Sequence, residues 1–199
     1  KRSSLVYNNI VMIMILSFIS IFILFLIWSI FMMKGKLNNL DNYFYNTIKI
    51  TNFKTKIWKC ITSLASAKFI ALMCILLLMF IKNKTIPILI IINMFIMWGL
   101  IGILKNLFKR PRPNINRLVD EKGFSYPSGH TMTATCFYSF IIFLIIISPL
   151  MLTVKIVLIT LLCILMLLVG YTRVYLGVHY LSDVIGAYLF GTSYSLLYI

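Results

Sequence analysis

The chain has only two histidines, His130 and His179, and each stands among cations. His179 is followed four residues later by Asp183, a spacing that on a helix puts both side chains on one face. The carboxylate can then accept from one ring nitrogen, hold the tautomer and stabilise developing positive charge, which leaves the other nitrogen free to attack phosphorus. A protonated His130 on the far side of the phosphate can donate to the departing oxygen, an effect usually worth about 10²- to 10⁴-fold.

Three segments carry the remaining chemistry: KNLFKRPRP from Lys105 to Pro113, PSGH from Pro127 to His130, and RVYLGVHYLSD from Arg173 to Asp183. Guanidinium groups such as Arg112 and Arg173 bind phosphate oxygens in bidentate fashion, and Lys105 adds a point charge. The Ser128 hydroxyl and the amides of Ser128, Gly129 and His130, if they open a helix, form a donor cluster at its positive end. Gly129 lets the backbone approach closely.

The elements that must position these residues are apolar. Hydrophobic residues make up 61% of the sequence, charged ones 12%, and the mean hydropathy is +1.00, which excludes an ordinary soluble domain. The pattern predicts an all-α polytopic membrane protein, a six-transmembrane helix bundle forming one unit over residues 1–199. The spans fall at 5–33, 62–81, 86–108, 131–148, 154–172 and 181–199. The first run is too long for a signal-peptide core and reads as a retained span. Pro111, Pro113 and Pro127 make 109–129 a structured loop. Residues 37–59 mix rings and cations and read as a headgroup-zone segment or an ordinary loop. Simple alternation puts 34–61, 109–129 and 173–180, and hence the active site, at one membrane face.

Nineteen Lys and Arg face four carboxylates, Asp41, Asp120, Glu121 and Asp183. Membrane lipids and an anionic substrate are the natural partners, and nucleic acid is not, because no soluble basic face exists. Lys109, Arg110 and Arg117 read as headgroup-facing, Asp120 and Glu121 as loop surface, and Tyr43 to Tyr45 as an interfacial belt. Gly186 and Gly191 read as helix-packing positions. Cys60, Cys74, Cys136 and Cys163 lack metal-ligand spacing and read as small core residues.

Taken together, the three segments resemble the signatures of the phosphatidic acid phosphatase type 2 superfamily of membrane lipid phosphatases and their vanadium haloperoxidase relatives. Those signatures are Lys, six residues, Arg-Pro; then Pro-Ser-Gly-His; then Arg, five residues, His, three residues, Asp. Here they are Lys105 with Arg112-Pro113, Pro127 to His130, and Arg173 with His179 and Asp183. Thr172 stands where the third signature often has Ser. The resemblance implies His179 as nucleophile, a phosphohistidine intermediate, His130 as general acid and later base, and Asp183 as orienter. It also implies phosphate binding by Lys105, Arg112, Ser128, Gly129 and Arg173, with no metal and no other cofactor. Four scattered carboxylates and two histidines agree, being too few to assemble a two-metal centre.

The activity so implied is hydrolysis of a lipid phosphate such as phosphatidylglycerophosphate, phosphatidic acid or undecaprenyl pyrophosphate. Transfer of the phosphoryl group to another lipid, or non-enzymatic lipid-phosphate binding, would use the same cations. Cation counts near the span ends favour a cytoplasmic site, whereas bacterial relatives carry theirs on the extracytoplasmic face of the cell membrane, and the resemblance is followed here.

Overall fold

The computed structural model describes residues 2–48, 52–114 and 117–199. Eight helices account for most of them: α1 (Arg2–Met33), α2 (Asn38–Thr47), α3 (Asn52–Ser63), α4 (Ala67–Phe80), α5 (Thr85–Phe108), α6 (Gly129–Ile147), α7 (Leu152–Tyr175) and α8 (Leu181–Tyr198). The expected all-α architecture is therefore present, and no strand occurs among the described residues.

The count of spans differs from the expected six. Four helices, α1, α5, α6 and α7, are long and apolar enough to cross a membrane, or five if α3 and α4 form one broken span bent by 46°. The span expected at 62–81 is interrupted because Ser66 caps a new helix, its hydroxyl accepting from the Phe69 amide at 3.2 Å. The 14-residue α4 alone extends about 21 Å, short of a hydrocarbon core of about 30 Å. The last helix, α8, has length enough but is diluted by Ser, Gly, Thr and Tyr. Residues 37–59, expected as a single headgroup segment or loop, instead hold α2 and most of α3.

The centre of the bundle is α6, packed against α5, α7 and α8, while α1 leans on α8. Half of the most apolar window of α6 is buried, against 6% in α1 and in α7, so those two helices pack by one face and turn the rest outward. Glycines set the closest approaches. A Cβ on Gly186 would stand 2.7 Å from the Tyr126 ring, and one on Gly191 would stand 2.9 Å from Thr135, so both do ease packing as expected. Cys74 and Cys136 are buried, Cys163 is half-buried, and Cys60, expected in the core, is exposed on α3.

Candidate active site

Helix ends and one loop build the site. Lys105 lies in the last turn of α5, which stops at Lys109 in a left-handed conformation (φ 46°). The loop then returns through Ser125, whose amide donates to the Arg110 carbonyl at 2.8 Å, and delivers Ser128 as the N-cap of α6. Gly129 and His130 are thus the first two helical residues, but the Ser128 amide, expected in the same donor cluster, donates to the Asp183 carbonyl at 3.2 Å; Lys105 Nζ lies against Gly129. Helix α7 runs one turn further than expected and carries Arg173 in its last turn.

His179 is not on a helix. It precedes α8, with Tyr180 as N-cap and Asp183 in the first turn. The pairing foreseen from the spacing nonetheless forms: Nδ1 of His179 stands 3.4 Å from Oδ2 of Asp183, and the Ser125 hydroxyl donates to the same oxygen. The Tyr180 amide donates there too, at 2.9 Å. On the other side of the ring, Nε2 of His179 lies 3.1 Å from a terminal nitrogen of Arg112. With Nδ1 turned to the carboxylate, Nε2 carries the lone pair, which accepts from the Arg112 guanidinium.

Arg112 is held by the carbonyls of Val178 (2.9 Å), Gly123 (3.1 Å) and Lys122 (3.2 Å). Arg173 donates to Thr62 Oγ1 at 3.0 Å and to Glu121 Oε1 at 2.5 Å, while its buried Nε has no partner among the described residues. His130 is within electrostatic reach of Arg173, Glu121, His179 and Lys105. Contacts and electrostatic reach therefore gather all eight expected residues in one cluster. Burial pushes the His179 imidazole down to about 4, against the opposing pull of Asp183.

Two expectations fail. Arg110 does not face headgroups: it is 11% exposed and bridges Asp41 (2.7 Å) and Asp183 (2.5 Å). Glu121 is not free loop surface either, since burial raises its carboxyl but the Arg173 and Arg112 guanidiniums hold it below the usual carboxylate range. Lys109 and Asp120 are exposed, as expected, and Arg117 bonds only the loop around Pro113. Ser125, Ser182 and Asp41 were not foreseen at all. For Asp41 the one advance signal was the scarcity of carboxylates, four against nineteen Lys and Arg.

Residues 85–199 match the PAP2 superfamily, more than half of the sequence, and the chain belongs to that family. It is 41% identical over 90 residues to phosphatidylglycerophosphatase B of Bacillus subtilis (strain 168). That stretch covers 45% of this chain and 44% of the relative, less than half of either. Among solved structures it is similar to the transmembrane PAP2-type phosphatidylglycerolphosphate phosphatase from Bacillus subtilis, with a TM-score of 0.84, 26% identity, and 92% and 94% of the two chains covered. LpxE of Aquifex aeolicus shares the fold, with a TM-score of 0.64 at 24% identity over 80% of this chain and 92% of that one.

Proposed function

We propose that this protein is a membrane lipid phosphatase that works without a metal, with phosphatidylglycerophosphate as its first candidate substrate and phosphatidic acid and undecaprenyl pyrophosphate as related ones. The observation that carries the reading is the two-sided environment of His179: a carboxylate and a hydroxyl on Nδ1, a phosphate-binding arginine on Nε2. The relatives' names supply the lipid class. Among the described residues no group of three or more His, Cys, Asp and Glu could hold a metal ion, which supports a protein nucleophile.

In this mechanism Lys105, Arg112, Ser128, Gly129 and Arg173 hold the phosphate oxygens. Nε2 of His179 forms a bond to phosphorus as the bond to the lipid oxygen breaks, and His130 gives its proton to that leaving oxygen. Asp183 accepts from Nδ1–H and offsets the imidazolium charge of the phosphohistidine. Neutral His130 then takes a proton from water, whose oxygen attacks phosphorus and returns His179 to its neutral form. Residues 1–199 act as one unit of six crossings, counting α8 and the bent α3–α4 pair, and the site opens at the extracytoplasmic face.

Phosphate release from the three lipids and from soluble phosphoesters tests the reading. Wild-type protein should turn over at least one lipid, unaffected by EDTA, and His179→Ala should lower the rate by at least about a thousandfold. Turnover by His179→Ala, or strong inhibition by EDTA, would sink it.

A further inference from the structure

Asp183 offers two oxygens, and only Oδ2 looks toward the nucleophile. Its other oxygen, Oδ1, accepts from Arg110 at 2.5 Å. Arg110 is itself clamped: a second terminal nitrogen donates to Asp41 Oδ2 at 2.7 Å, the first also reaches Ser182 Oγ at 2.6 Å, and the guanidinium lies 4.3 Å from the Tyr180 ring centre. Asp41 further accepts from the Ser182 amide at 2.9 Å and hydroxyl at 2.6 Å. Asp41 is 2% exposed and Asp183 fully buried. Two buried carboxylates around one guanidinium are tolerable only with complete donor sets, which both have here. No phosphate-binding residue takes part.

We infer that Arg110 and Asp41 are positioning residues for phosphoryl transfer: Asp41 clamps Arg110, and Arg110 fixes Asp183 so that Oδ2 addresses Nδ1 of His179. This rests on the phosphatase reading above. A carboxylate turns easily about its last torsion, and the charge-assisted bond on Oδ1 joins the Ser125 and Tyr180 bonds on Oδ2 in holding Asp183 against turning. The pair also sets the field on the imidazole. His179 faces Asp183 from α8, Arg112 and Ser125 from the loop, and Arg173 from α7, while His130 of α6 and Lys105 of α5 share the cleft. Removing the Arg110 cation strengthens the pull of Asp183 on the imidazolium, and removing the Asp41 anion weakens it.

The test is steady-state phosphate release by the full chain in mixed micelles of phosphatidylglycerophosphate, and separately of phosphatidic acid. If wild type releases phosphate from neither of these nor from undecaprenyl pyrophosphate, the phosphatase reading falls and this inference with it. If wild type turns over, Arg110→Gln and Asp41→Asn should each lower kcat by about a hundredfold, the scale of a nucleophile misplaced by about an ångström. KM should stay within about twofold. The acid limb of kcat/KM should move to higher pH in Arg110→Gln and to lower pH in Asp41→Asn, substrate ionisation being common to all variants. The double variant should be no slower than Arg110→Gln alone, because the two act in series. Should Arg110→Gln fail to purify as a folded protein, Arg110→Lys carries the test, since one ammonium cannot reproduce the bridge. Unchanged kcat in Arg110→Gln, a raised KM at full kcat, or acid limbs that stay in place would overturn the inference.

Discussion

With its pKa lowered by burial to about 4, His179 is uncharged at neutral pH, as the proposed nucleophile must be, and this has a price in acid. In the unfolded chain the same ring titrates near about 6.5, so between that value and about 4 the unfolded state binds the extra proton. The His179 contribution to stability is complete above the unfolded value and is lost as pH falls through the window, with a slope of at most about 1.4 kcal/mol per pH unit. Melting in detergent from pH 7 to pH 4 should therefore show a shallower loss for His179→Gln than for wild type; parallel curves would contradict the buried neutral ring. At this scale the sequence was readable wherever spacing encoded chemistry, as for His179, Asp183 and the Pro-Ser-Gly-His run. It was opaque for Arg110, which sits among Lys109, Pro111 and Arg112 and looks like one more solvated cation. Its partner Asp41 lies 69 residues away, and only the packing of α2 brings the two together.

Among the elements, α8 depends on how closely it can approach the loop before α6. Gly186 lies under the Tyr126 ring, and that tyrosine is fully buried, bonded to Ser29 Oγ at 2.7 Å, stacked on Phe25 and edge-on to Phe108. The ring has nowhere to move. Gly186→Ala should destabilise the protein by about 1–3 kcal/mol and slow phosphate release, because Asp183 is carried on the same helix. Gly99→Ala on α5, where the new methyl meets open space, should leave melting within about 1 kcal/mol of wild type. Equal melting of the two variants would refute the packing argument. The long apolar helices were legible from hydropathy alone, whereas the α3–α4 break was not, since a continuous apolar window hides a cap. Ser66 was the residue that announced it.

For the molecule as a whole, charge and resemblance point to opposite orientations: Lys34, Lys36, Lys49, Lys54, Lys56 and Lys59 favour a cytoplasmic site, and the resemblance an extracytoplasmic one. Arg112 and Arg173 are held by carbonyls and a carboxylate inside the protein and do not touch headgroups. Orientation can be read directly by labelling. In a Cys60→Ser background, a membrane-impermeant maleimide applied to intact cells should modify Asn114→Cys, exposed beside the site, and spare Lys82→Cys, exposed at the other end of α5. The reverse pattern would put the site inside the cell.

The outward faces of α1 and α7 carry a further consequence. Residues such as Ile13, Leu16, Leu161 and Leu167 meet lipid tails as apolar as themselves, so no shape is demanded of them. Leucine, isoleucine, methionine and phenylalanine are interchangeable there at almost no cost to folding. Such surfaces can be rewritten residue by residue while the backbone beneath them persists, a freedom that the buried polar network around Asp183 does not have.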